Sequence, residues 1–155
     1  MAISAKKVLS CHVVDGNWNG AKAAEMYTNA LGPALREAYP AKKRFLLLED
    51  NDPSGYKSTV AKDVKTGLNI STLDFPRRSP DLNPLDYGFW DCINRRLRRQ
   101  EKRFRKGRKE TRLELIARLR KTVLAVPETV LTPMVQSMKR RCIALEAAKG
   151  RDFEE

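Results

Sequence analysis

A chain of 155 residues, 41% of them apolar and 32% charged, is long enough for one ordinary domain with a core and too apolar to be disordered throughout. Its net charge of +12 points to a polyanionic partner, of which nucleic acid is the commonest. Three scattered cysteines (Cys11, Cys92, Cys142) without a Cys-x-x-Cys pair, and the single histidine His12, argue against a zinc finger and against a disulfide framework. A reducing interior, cytosol or nucleus, is expected. No apolar run approaches the about 18 residues of a membrane span, and the first residues lack the apolar centre of a signal peptide.

In chain order, Lys7 to Val14 reads as a strand rich in β-branched residues, and Asp15-Gly16 as a turn. Gly20 to about Tyr39 reads as a helix that Gly32-Pro33 can break or restart. Arg44 to Glu49 is a short continuous apolar strand of the kind buried on both faces of a parallel sheet. A helix over Ser54 to Lys65, ended by Gly67, and a strand over Asn69 to Leu73 follow. After a loop from Phe75 to Asn83, Asn83 can cap a helix with Pro84 in its first turn. Leu85, Phe89, Ile93 and Leu97 give that helix an apolar stripe, and it can run to about Phe104 before Gly107. A second helix is expected from Thr111 to Ala125, stopped by Pro127, and a third from Thr132-Pro133 to Gly150. The order strand, helix, strand, helix, strand, then helices is an α/β pattern with a helical tail.

Two acids stand out. Asp50 lies where a strand runs out at its carboxyl end, which is where open α/β sheets bind ligands. Glu49, Asn51 and Asp52 surround it with oxygen donors suited to a hard cation. Asp86 follows the next strand and sits just inside a helix start. Each has a plain alternative: Asp50-Asn51-Asp52-Pro53 is a good turn, and Asp86, three residues after Asn83, resembles the acid of a capping box.

From Arg95 to Lys121 the chain carries fourteen Lys or Arg against three acids. Arg95, Arg96, Arg98, Arg99, Lys102, Arg103, Arg105, Lys106, Arg108 and Lys109 form the densest part, a phosphate-tracking surface or, in the plainer reading, a solvated helix face. The same run can serve as a nuclear localisation patch.

The segments "LLLEDNDP" and "SPDLNPLDYGFW" resemble two motifs of the mariner-superfamily (DDE/D) transposases, and "VPETVLTPMVQSMKRRCIALEAAKG" is similar to that family's tail. The resemblance implies that Asp50 is the second and Asp86 the third catalytic, metal-binding carboxylate; thirty-five residues separate them. It also implies a ribonuclease H-like fold, Mg²⁺ or Mn²⁺ as cofactor, DNA as partner and a homo-oligomer; the lack of a long apolar run leads to the expectation of no membrane partner, and the basic run to that of the nucleus. In that family two metal ions activate the nucleophile and stabilise the leaving oxygen of a phosphodiester.

The chain departs from the family pattern in two places. Where the family often has His, this chain has Gly55. The family's first catalytic Asp lies farther upstream than Met1, and Asp15 reads as a turn residue, not its replacement. The expectation is therefore a partial ribonuclease H-like domain over residues 1–105, lacking its first strands, with residues 106–155 as its basic helical tail. A gap in the sheet and lost or impaired cleavage and strand transfer would follow. A non-enzymatic DNA- or RNA-binding protein derived from a transposase is the alternative.

Overall fold

The computed structural model describes residues 1–50, 52–74, 76, 79–101 and 109–151. They fall into two compact units: Met1–Ala2 with Leu9–Arg78, and Ile3–Val8 with Ser79–Glu155. A small hairpin contributes to both, β1 (Ala2–Ile3) and β2 (Val8–Ser10). Ser4 closes its turn, its hydroxyl oxygen accepting from the Lys6 and Lys7 amides at 3.3 and 3.2 Å. The strand expected over Lys7 to Val14 is thus shorter than its β-branched content suggested. Among the described residues its one ladder partner is two residues long, and Cys11 to Val14 lie outside the sheet.

The first unit is built on a helical stretch from Gly20 to Ala38. Asn19 caps it, its side-chain oxygen accepting from the Lys22 amide at 3.0 Å. The stretch comprises α1 (Gly20–Met26), a wide π turn (Tyr27–Leu31) and α2 (Gly32–Ala38). Gly32-Pro33 does mark a change of winding, although the helix carries on through it. The Gly32 amide bonds back to the Tyr27 carbonyl, and Pro33, which has no N–H to offer, enters the first turn of α2. Gly32 is needed for closeness: a Cβ there would lie 2.9 Å from the Tyr27 carbonyl and 3.1 Å from the Leu68 side chain. Ala23, Tyr27 and Leu31 are buried from this stretch, and Ala61 and Ile70 complete the core with them.

Next comes a β-α-β crossover: β3 (Phe45–Leu47), α3 (Thr59–Gly67) and β4 (Ile70–Thr72). The strands are parallel, with Phe45 opposite Ile70, Leu46 opposite Ser71 and Leu47 opposite Thr72. The helix starts later than the sequence suggested. Asp52 to Lys57 are spent in turns, and Ser58 supplies the cap by accepting from the Ala61 amide at 3.3 Å. The expectation of a strand buried on both faces is corrected: Phe45 and Leu47 pack against the core, but Leu46 is 68% exposed. Among the described residues β3 has β4 as its one paired neighbour, so the strand presents a single buried face. Among the described residues the strands form two separate pairs.

The second unit is helical. A 3₁₀ turn (Pro80–Leu82) leads through Asn83 into a second π turn (Leu85–Phe89) and α4 (Trp90–Glu101). The expected stripe is real: Phe89 and Ile93 are buried, Leu85 and Leu97 half-buried. α5 (Arg112–Leu124) opens with a capping box, the Glu114 amide donating to Thr111 Oγ1 at 3.3 Å and the Thr111 amide to Glu114 Oε2 at 2.9 Å. Arg118 ties α5 to α4, reaching Glu110 at 2.7 Å, Glu101 at 3.4 Å and the Leu97 carbonyl at 3.3 Å. α6 (Glu128–Ala147) begins four residues before the expected Thr132. Pro127 is its cap residue, and Pro133, the sixth residue of the helix, lies past the four orphan donors of the helix start and so forgoes one i→i−4 backbone bond. Val123, Val126 and Leu131 are buried in this unit.

Candidate functional site

Asp50 belongs to the first unit and Asp86 to the second. Asp50 follows the carboxyl end of β3 and is exposed. It borders a cleft of about 420 Å³ with Asp52, His12, Trp18, Met26 and Tyr56 among the lining residues. Asp52 is held in place by four donors: the Ser54 hydroxyl at 2.8 Å, the Ser54 amide at 3.1 Å, the Gly55 amide at 3.2 Å and the Trp18 side chain. The Ser54 hydroxyl leads in keeping its carboxyl group below the usual carboxylate range.

Trp18 also explains the missing histidine. Its ring packs edge-on to Tyr56 at 5.1 Å, and a Cβ on the buried Gly55 would overlap its indole nitrogen. With Trp18 there, no larger residue fits at position 55 unless the indole moves.

Behind Asp50 lies a buried charged cluster that the sequence did not reveal. Glu49 accepts from Lys65 Nζ at 2.6 Å on one oxygen and from the Tyr27 hydroxyl on the other. Lys65, its side chain 7% exposed, also donates to the Tyr56 carbonyl at 3.1 Å and lies 5.3 Å from the Tyr27 ring centre. Burial raises the Glu49 pKa, outweighing the attraction of Lys65. Burial also raises that of Tyr56, with help from Glu49, Asp52 and Asp50.

In the second unit Asp86 is exposed at the start of the π turn. Asn83, largely buried, accepts from the Leu85 amide at 3.1 Å through its side-chain oxygen and donates through its amide nitrogen to Asp86 Oδ2 at 2.8 Å. Asn83 therefore acts as cap and tether together, which differs from a capping box because the acid bonds the cap's side chain. The segment is fastened to α6. Tyr87 donates to the Met134 carbonyl at 2.6 Å, and the Arg141 guanidinium lies 3.8 Å over the Tyr87 ring while donating to the Asp81 carbonyl at 3.1 Å. Arg141, from the tail segment, thus braces the motif that carries Asp86.

Among the described residues no group of three His, Cys, Asp or Glu side chains could hold a metal ion. The donors present do not make a closed all-protein cage. Exposed Asp50 with Asp52 in one cleft, and exposed Asp86, do fit Mg²⁺ or Mn²⁺, which keep several waters and need one or two carboxylates beside phosphate oxygens. Of the basic residues, Arg95, Arg98, Arg99 and Lys109 are exposed and Arg96 is half-buried. Arg95 pairs with Asp91 at 2.9 Å on the outer face of α4. Lys102, Arg103, Arg105, Lys106 and Arg108 lie outside the described residues, as do Phe104 and Gly107.

No family model matches the chain. It is 32% identical over 109 residues to the transposable element Tcb1 transposase of Caenorhabditis briggsae, covering 70% of this chain and 36% of that protein. It is 27% identical over 153 residues to the Tc3 transposase of Caenorhabditis elegans, covering 96% of this chain and 43% of that protein. The chain spans less than half the length of these curated relatives. Its fold matches the crystal structure of the catalytic domain of Mos1 mariner transposase with a TM-score of 0.82 at 22% identity, over 98% of this chain and 73% of that one. A Mos1 paired-end complex with Mn matches at 0.80, over 97% and 43%. The fold is thus the ribonuclease H-like one that the two motifs implied.

Proposed function

Because the chain belongs to the Tc1/mariner transposases, we propose that it supplies the second and third metal-binding carboxylates, Asp50 and Asp86, of a DNA-cleaving and strand-transfer domain. The observation that carries this reading is how the two motif acids are presented. Both are exposed, and each is backed by an adjacent buried residue, Glu49 or Asn83, that is hydrogen-bonded in place. A divalent cation bound at either acid would neutralise developing charge on a phosphodiester. The chain's own part is to hold the carboxylates, exclude loose geometry and bring DNA phosphates near. The exposed guanidinium groups of Arg95, Arg98 and Arg99 and the Lys109 ammonium suit that last task without reading sequence. Duplex DNA is the proposed partner, the nucleus the proposed place, and a homo-oligomer the proposed working form.

The test is duplex DNA affinity of the full chain between about 50 and 200 mM salt, with and without Mg²⁺. Affinity should fall steeply with salt, and Mg²⁺ should add an increment that Asp50→Ala and Asp86→Ala remove while the salt slope stays. Absence of salt-dependent duplex binding would overturn the DNA assignment, and a Mg²⁺ increment untouched by either substitution would overturn the metal assignment.

A further inference from the structure

We infer that the buried Lys65–Glu49–Tyr27 cluster is a positioning device for Asp50, with Lys65 and Tyr27 acting on a bound cation only through the segment that follows β3. The inference rests on the reading of Asp50 as a metal ligand.

Stability alone does not account for the cluster. A buried ion pair is often no more stable than a well-packed apolar pair of the same volume. Yet here a lysine with 7% side-chain exposure and a glutamate with 10% face each other at 2.6 Å. What the pair supplies is direction. Both carboxylate oxygens of Glu49 are engaged, one by Lys65 and one by Tyr27, so its side chain is fixed inward. Successive side chains of an extended segment point to opposite sides. The burial alternates past the end of β3 in that sense: Phe45 and Leu47 pack against the core, Leu46 is exposed, the Glu49 side chain is buried, and Asp50 is exposed and borders the cleft.

The same ammonium fixes a second wall of that cleft. Lys65 Nζ donates to the Tyr56 carbonyl at 3.1 Å, and Tyr56 lines the cleft with Asp50. Tyr27 has no solvent exposure, and its ring lies 5.3 Å from Lys65 Nζ and 6.5 Å from the Tyr56 ring. The anchor thus draws on the first helical stretch, on α3 and on the turn before α3, and all of it converges on the residue preceding Asp50. Glu49 is engaged on both oxygens, its side chain is 10% exposed, and it is not among the residues that line the cleft, whereas Asp50 is. The motif Glu49-Asp50 consequently divides its work between one acid that anchors and one that faces the cleft.

The experiment uses the full chain and two readouts: Mn²⁺ affinity from the electron paramagnetic resonance signal of free Mn²⁺, and the ¹⁵N relaxation of the Asp50 amide. The informative variant is the apolar pair Glu49→Leu with Lys65→Met, which keeps the volume filled. We expect its thermal midpoint to stay near that of the parent while Mn²⁺ affinity falls about tenfold or more and the Asp50 amide loses its rigid order parameter of about 0.85. Tyr27→Phe removes one hydroxyl from the cluster, should shift both readouts the same way by less, and decides the matter if the apolar pair does not fold. A folded apolar pair, or a folded Tyr27→Phe, with parental Mn²⁺ affinity and an unchanged Asp50 amide would overturn the inference. If the parent itself shows no Mn²⁺ binding sensitive to Asp50→Ala, the metal reading fails instead, and the Asp50 amide alone decides whether the cluster positions that residue.

Discussion

Asp50 and Asp86 are both exposed acids beside a buried polar neighbour, but the two units support them by different physics. In the first unit the support is charged: Glu49 and Lys65 face each other out of water, with Tyr27 on the remaining oxygen. In the second the direct support is a neutral, local cap: Asn83 tethers Asp86 from three residues away, while Tyr87 and Arg141 brace the segment against α6. A charged support is unforgiving, because losing one partner strands the other in a low-dielectric setting. A neutral cap fails by about the worth of one or two hydrogen bonds.

The contrast can be broken at graded points. The largest effect should come from Lys65→Met, which leaves Glu49 buried without its counter-charge and should cost about 3–5 kcal/mol. The sign with pH follows from Glu49, whose pKa burial already raises. A raised carboxyl pKa means that the folded state binds the proton more tightly than the unfolded chain does. That contribution is therefore fully present at low pH and is lost as pH rises through the folded value. Urea unfolding of Lys65→Met should accordingly show a larger deficit at pH 8 than at pH 5. An equal deficit at both would mean that Glu49 does not change its protonation state between the two pH values in the folded protein.

Next in size is Asn83→Ala, which removes the cap and the tether and should cost about 1 kcal/mol. The same substitution should weaken Mg²⁺-dependent DNA binding while sparing the salt slope. Tyr87→Phe should cost about 0.5–1.5 kcal/mol through the lost bond to Met134, measurable by the same unfolding experiment. The smallest effect is expected at Arg95 with Asp91, an exposed pair 2.9 Å apart with both side chains 66% exposed. Breaking it with Asp91→Ala should change stability by no more than about 0.5 kcal/mol. One further titration sharpens the picture of the cleft. Asp52 is held ionised by Ser54, Gly55 and Trp18, so its contribution to stability is present above the ordinary carboxylate value and lost as pH falls through its lowered folded value. Trp18 fluorescence, followed in a Trp90→Phe background, should change with a midpoint below the usual carboxylate range.

Much of this was legible in the sequence where one periodicity or one cap decides the outcome. The Phe89 and Ile93 stripe is buried as its spacing indicated, Thr111 with Glu114 forms a capping box, and Ile70–Thr72 is a strand. The fold agrees with the resemblance that singled out the motif acids. What escaped depends on contacts between distant residues. Lys65 meets Glu49 across sixteen residues, and Trp18 approaches Gly55 across thirty-seven. Neither pair leaves a local pattern, although a lysine on the face of a short helix that also carries Ala61 is a signal worth following. The exposed Leu46 was missed for a related reason: an apolar run shows that a strand can be buried on both faces and says nothing of how many neighbours it finds. The early start of α6 was missed because Thr132-Pro133 looks like a helix start, and only packing decided for Pro127-Glu128.

The most direct measurement is Mn²⁺ titration of the full chain, followed by electron paramagnetic resonance, for the parent, Asp50→Ala and Asp86→Ala. If both residues are metal ligands, each substitution weakens Mn²⁺ binding by at least about tenfold without lowering the thermal midpoint. Parental Mn²⁺ affinity in both variants, or no Mn²⁺ binding by the parent, would contradict the metal-binding role of these two acids.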